Sequence, residues 1–256
     1  MRYRLLALLA ATAIPLAACH GHGHGHSSGG DSTPGVKGSG SGTSRTFQVA
    51  DFTAVELRGS DDVDVRTGAA FSVRAEGPSD QLDKLKIVRE GDTLRVGRID
   101  HDGLSWDDIG HHDGKQVKIY VTLPRLAEAS IAGSGDMAVD KVDGAKFSGS
   151  SAGSGNLTVA ALAVDTADLS IAGSGDMQVK GSAKQLQIDI AGSGSVDGSG
   201  LKAQGAKVSI AGSGDARADV TGPASVSVMG SGDVDLGSGA KCTTSKMGSG
   251  DVHCGS

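Results

Sequence analysis

The chain has 256 residues, 41 of them glycine, with only 3% aromatic residues and a formal net charge of −6 at pH 7. An acidic balance excludes a nucleic-acid partner, because neutralising phosphates takes clustered Lys and Arg. So few aromatic rings also argue against a sugar-cleaving cleft built on stacking platforms, and the abundance of Gly and Ala leaves room only for a thin core.

The chain opens with Arg2 and Arg4, runs through an apolar stretch from Leu5 to Leu16, and reaches Leu16-Ala17-Ala18 before Cys19. A basic start, a short apolar run and small residues mark residues 1–18 as a secretory signal; the run is too short to span a bilayer comfortably. The Leu-Ala-Ala-Cys order resembles the lipobox of bacterial lipoproteins. That resemblance implies diacylglycerol on the Cys19 thiol and cleavage just before it; the alternative is ordinary cleavage with Cys19 left as a spare thiol. It also implies that His20, standing where an inner-membrane retention signal has Asp, sends the protein to the outer membrane of a Gram-negative cell. Loss of residues 1–18 removes two Arg and no acid, which leaves 22 basic against 30 acidic side chains, a balance of −8.

Residues 19–46 read as a flexible tether, since Gly, Ser and His with a few charges bury too little apolar surface to offset the entropy of ordering. Within it His20, His22, His24 and His26 alternate with Gly. Imidazoles at this density can wrap a borderline divalent metal; the other reading is a polar spacer that keeps the body clear of the membrane.

From Phe47 to the end at 256, short apolar runs alternate with period two and are broken by Gly, Asp and Pro, the pattern of strands and turns. Val63 and Val65, Phe71 and Val73, Leu94 and Val96, and Val117, Ile119 and Val121 are examples. Between Asp80 and Ile87 the spacing of Leu82 and Leu85 predicts one helical turn. The stretch His101–Asp113 interrupts the alternation with Asp102, Asp107, Asp108, His111 and His112 around Trp106. It is either a projecting binding tip or a solvated insertion with Trp106 packed over the end of the body.

A Gly-Ser-Gly triplet begins at residues 133, 153, 173, 192, 212, 230 and 248, at intervals of 18 to 20 residues. A period of this length marks a solenoid, in which each repeat buries its apolar face only against the next. Ile131, Ile171, Ile190, Ile210 and Val228 stand two residues before the triplet; Met137, Leu157, Met177, Val196, Val234 and Val252 stand four after its first Gly. Even offsets on each flank describe strands with one face inward, and the triplet is the corner between them. The expected fold is all-β, a narrow right-handed parallel β-helix or related β-solenoid with parallel strands about 4.8 Å apart. Ser134, Ser154, Ser174, Ser193, Ser213, Ser231 and Ser249 then form a hydroxyl row along one edge.

The string Ile-Ala-Gly-Ser-Gly-Asp-Met at 131–137 recurs at 171–177, and its first six residues recur at 210–215. Phe52-Thr53-Ala54-Val55 with Gly59-Ser60-Asp61-Asp62-Val63, and Val121-Thr122-Leu123-Pro124, extend the match upstream. Over about residues 47–254 this resembles the head GIN domain family of auto-transporter adhesins, a domain of unknown function found in bacterial lipoproteins and exported proteins. The resemblance implies the fold more firmly than the function.

Asp136, Asp176, Asp215, Asp233 and Asp251 follow the triplets, with Asn156 and Ser195 in the same place in two coils. Stacked carboxylates repel, so either a row of calcium ions relieves them or each Asp caps its own corner by accepting backbone N–H groups. The second reading also accommodates Asn and Ser. Cys242 and Cys254 lie six residues before and after Gly248, which places both inward, as a disulfide sealing the last coil or as two buried thiols.

No Ser-His-Asp spacing, phosphate loop or zinc-helix motif is present, and no cofactor or catalytic residue is expected. The reading is a non-enzymatic envelope or surface lipoprotein, adhesive or structural, with a glycan or protein ligand and a membrane contact through its anchor. Two alternatives stay open: a carbohydrate-active β-helix enzyme, and a metal-handling lipoprotein using the His-rich tether.

Overall fold

In the computed structural model, residues 34–99 and 117–255 are described. Their architecture is a parallel-stacked β-solenoid of about six turns. Each glycine corner falls in register with the next: Gly59, Gly133, Gly153, Gly173, Gly192, Gly212, Gly230 and Gly248 form one parallel ladder.

A coil has three sides. The first ends in the corner glycine, as in Glu128–Gly133 and Pro223–Gly230. The second follows the corner, where Val63, Met137, Leu157, Met177, Val196, Ala216, Val234 and Val252 stand in register. The third carries Val142, Leu162, Gly181 and Leu201. Continuous strands such as Leu157–Gly173 run from the second side through the third to the next corner.

Inward positions make columns because the register is parallel and the side-chain period is two. The column Leu57, Ile131, Ile171, Ile190, Ile210 and Val228 is at most 2% exposed, with Ser151 taking one place in it. Each such aliphatic contributes about 1.5–3 kcal/mol through burial. The Ser151 hydroxyl donates to the Gly155 carbonyl at 2.8 Å, so its burial leaves no polar group unpaired. Where the repeat shortens to 19 residues, the deletion is absorbed at Gly181, whose φ of +131° permits the tighter path.

Stacking order departs from chain order at the N-terminal end. Ala54–Gly59 and Asp62–Thr67 lie between Thr93–Arg98 with Lys118–Leu123 on one side and Glu128–Gly133 with Met137–Val139 on the other. Beyond them the sheet turns antiparallel: Leu85–Glu90 pairs with Thr93–Arg98, and Ser72–Glu76 pairs with Lys118–Leu123. A helical turn is present but at Ser79–Leu82, so the expected stretch between Asp80 and Ile87 is only partly helical: Leu85 and Ile87 lie on the strand Leu85–Glu90, and Leu82 joins them and Phe47 in the buried cluster.

The tether boundary at residue 46 needs correction. Gly38–Ser39 and Ser44–Phe47 are strands; Ser44–Phe47 pairs with Ser72–Glu76 and brings Phe47 to 4% exposure. Composition hid this, because Ser44–Phe47 draws its stability from a strand distant in sequence rather than from its own apolar content.

Candidate functional site

The surface feature repeated along the stack is the glycine corner with the polar residue that follows it, an Asp in most coils and Asn156 or Ser195 in two. The carbonyl of the first Gly accepts the N–H of the next coil's central Ser, and from Gly59 to Gly173 the carbonyl also accepts that of the residue after it: Gly153 receives the N–H groups of Ser174 and Gly175 at 2.8 and 3.1 Å. A β-carbon on Gly173 or Gly175 would fall below the 3.0 Å that real β-carbons keep, against the carbonyls of Gly153 and Gly155. Close stacking of corners therefore demands glycine at both ends of the triplet, while the central Ser is exposed in each copy from Ser134 to Ser249. The hydroxyl row is thus formed, and Ser231 and Ser249 lie 3.1 Å apart, oxygen to oxygen.

The corner acids bond along the stack and not within their own corner, which corrects the local-capping expectation. Asp136 Oδ1 accepts the Asn156 N–H and side-chain N–H, both at 3.0 Å; Asn156 Oδ1 accepts the Asp176 N–H at 2.9 Å. Asp176 accepts the Ser195 N–H at 2.8 Å, Asp215 that of Asp233 at 2.9 Å, and Asp233 that of Asp251 at 2.7 Å. Each carboxylate thus holds the backbone of the coil stacked upon it, and side chains at this spacing meet backbone donors as well as one another. The ladder starts earlier than the triplets, at Asp62, which accepts the Asp136 N–H at 3.2 Å. No group of three or more His, Cys, Asp or Glu side chains converges to hold a metal ion among the described residues.

An eighth corner lacks the triplet and so carries no Gly-Ser-Gly repeat signal: Gly59-Ser60-Asp61, with Asp61 in the place of the second glycine. The register Gly59 to Gly133 gives the correspondence, and the signal was present in Asp62, which stands where Asp136 stands. Asp61 is 1% exposed. Its carboxylate receives Arg98 Nε and Nη2 at 2.9 and 2.6 Å and the Val117 N–H at 3.3 Å, while Arg98 Nη1 donates to Gln81 at 2.7 Å. The hydrogen bonds that Arg98 donates to Asp61 raise the Arg98 pKa above its ordinary range, with burial opposing. On the outward face nearby, Glu56 bridges Arg58 at 2.7 Å and Arg95 at 2.8 Å.

Cys242 and Cys254 are joined by a disulfide with Cα atoms 6.2 Å apart, closing the last coil. Cys19, His20, His22, His24, His26 and the His101–Asp113 stretch lie outside the described residues. No helix of the described residues is long and apolar enough to cross a membrane, which does not bear on strands.

A family model described as "Putative auto-transporter adhesin, head GIN domain" matches residues 51–240. The chain belongs to this family. Solved structures share the fold of this head GIN chain at low identity. A crystal structure titled as a putative adhesin from Bacteroides fragilis NCTC 9343 superposes with a TM-score of 0.72 at 20% identity, covering 82% of this chain and 95% of that one. One titled as a putative lipid binding protein from Parabacteroides distasonis ATCC 8503 gives 0.64 at 22%, covering 85% and 98%. A third, titled as a putative adhesin from Parabacteroides merdae ATCC 43184, gives 0.62 at 17%, covering 87% and 99%. At these identities the likeness establishes the head GIN fold alone. No curated protein matches the chain.

Proposed function

We propose that this head GIN protein is an exported, non-enzymatic envelope protein, held through lipid on Cys19, whose solenoid presents equivalent polar rows for adhesive or structural contact. The observation that carries this reading is the seam of exposed Ser134 to Ser249, one per coil, and the polar ladder beside it, an Asp in five of these seven coils with Asn156 and Ser195 in the other two. Repetition at strand spacing favours many weak, equivalent contacts to a repeating partner such as a glycan or an extended protein surface. The interior columns are filled by the chain's own aliphatic side chains, so a ligand of any class, lipid included, would meet the outer faces.

Two measurements test it. A glycan array probed with the chain from Cys19 onward, paired with a polysaccharide degradation assay, is expected to give retention without shortened products. Release of shortened products would replace the reading with a carbohydrate-active enzyme. For the anchor, Cys19→Ala is expected to abolish incorporation of labelled fatty acid and to move the protein from the membrane fraction to the soluble one; unchanged labelling would refute lipidation at this residue.

A further inference from the structure

The two ends of the solenoid are finished differently. At the N-terminal end, antiparallel strands and a helical turn bury Leu82, Leu85 and Ile87 in the common core. At the C-terminal end the strand Lys241–Gly248 pairs with Pro223–Gly230 and, among the described residues, with no strand on its other side. Val252–His253 likewise pairs with Val234–Asp235 alone.

A bare parallel edge of this length is a template for another strand. What differs here is the composition of its inward positions. In the penultimate coil these are Ala224, Val226 and Val228, all buried. Registered on them in the last coil are Cys242, Thr244 and Lys246. Lys246 therefore stands at the end of the column that runs through Ile171, Ile190, Ile210 and Val228. Its ammonium donates to the Gly250 carbonyl at 2.7 Å and lies 3.9 Å from the Asp251 carboxylate.

We propose that the last coil is a built-in stop, in which Lys246 and Thr244 keep a second copy of this chain from stacking on the free edge. The disulfide between Cys242 and Cys254 holds that coil in shape, so disorder does not blunt the edge. Outward side chains do not blunt it either, because Met229 and Met247, 61% and 71% exposed, replace the Ala of earlier coils and make the rim more apolar. The block is supplied from inside. A strand added to Lys241–Gly248 would cover the Lys246 ammonium and the Thr244 hydroxyl, and burying an ammonium without a full partner set is strongly unfavourable. A second copy docking by the same edge brings its own Lys246, so a two-fold contact places two such charges in one interface. Valine at both positions would make the last coil chemically continuous with the one before it.

The experiment is sedimentation velocity over a wide concentration range, on residues 19–256 carrying Cys19→Ser to remove the lipid. Three proteins are compared: this parent, the double variant Thr244→Val/Lys246→Val, and Lys246→Met. The parent is expected to sediment as a monomer. The double variant is expected to shift to dimers and larger species as concentration rises, with amides of residues 243–248 gaining protection from hydrogen exchange. A double variant that keeps its β circular dichroism and stays monomeric overturns the proposal, as does association that protects amides elsewhere, or a parent that already associates through this edge. Should the double variant lose its structure, Lys246→Met, which keeps the stem and removes the charge, decides by the same two readouts.

Discussion

Gly173 stacks directly on Gly153, so that the Gly153 carbonyl accepts the next corner's amides while a β-carbon on Gly173 would approach that oxygen within 3.0 Å. The same relation repeats up the stack and sets the coil spacing. Gly173→Ala also meets a φ of +136° that alanine adopts poorly. We expect it to destabilise the chain by about 4 kcal/mol or more, the range that marks a specific structural conflict. Gly91→Ala, at φ +56° with nothing within 4 Å of the added carbon, should cost only about 1 kcal/mol. Chemical denaturation of the two variants side by side checks the contrast; equal losses would mean that corner contact is not what demands glycine.

Asp61 ties three separated segments together through Arg98, Gln81 and Val117. Asp61 is buried but Arg98 is partly exposed and keeps its bond to Gln81, so Asp61→Ala, which loses charge-assisted hydrogen bonds, should cost about 2–3 kcal/mol. Asp64→Ala, which breaks the more exposed pair with Arg66, should cost no more than about 1 kcal/mol. Urea midpoints of both variants are the measurement.

Stability should fall in acid partly through Glu56. Burial is the largest single influence and pushes its pKa up, but the hydrogen bonds and charges of Arg95 and Arg58 together outweigh it and hold the group below its ordinary value of 4.5. A folded pKa below the unfolded one means that this contribution is complete above the unfolded value and is lost as the pH falls through the folded one. Melting temperatures followed from neutral pH into acid should decline less steeply for Glu56→Gln than for the parent. Parallel curves would show that the Arg95 and Arg58 contacts do not persist in solution.

Reducing the bond between Cys242 and Cys254 should loosen the last coil and leave the middle of the stack intact. Closing a loop of 12 residues in sequence is worth about 2–4 kcal/mol to the segment it closes. In a repeat stack each coil answers mainly to its neighbours. Hydrogen exchange with and without reductant should show faster exchange at residues 241–254 and unchanged exchange at 157–200.

The corner acids contribute locally. Asp176→Ala removes the acceptor of the Ser195 amide and should cost about 1 kcal/mol, whereas Asp176→Asn, which keeps an oxygen there as Asn156 does, should be close to neutral. Added calcium is expected to leave the melting temperature unchanged; a rise that Asp176→Ala abolishes would restore the cation-row reading.

The coil is legible in the order of residues alone. Two glycines around a serine at a near-constant period, with Ile or Val two residues before and an aliphatic four after, fix the corner, the inward face and the parallel register, because a one-residue slip would expose every column. Cys242 and Cys254 were placed inward by the same parity. Relations between residues far apart in the chain become visible only once it is folded. The insertion of Ala54–Gly59 between Thr93–Arg98 and Glu128–Gly133 and of Asp62–Thr67 between Lys118–Leu123 and Met137–Val139, the pairing of Ser44–Phe47 with Ser72–Glu76, and the contact of Asp61 with Arg98 leave no periodic trace. The acid ladder stands between these cases. Its positions were legible, but the direction of its bonds was not, since a carboxylate beside a corner finds backbone amides both in its own turn and in the next, and only the stacked geometry shows which lie within reach.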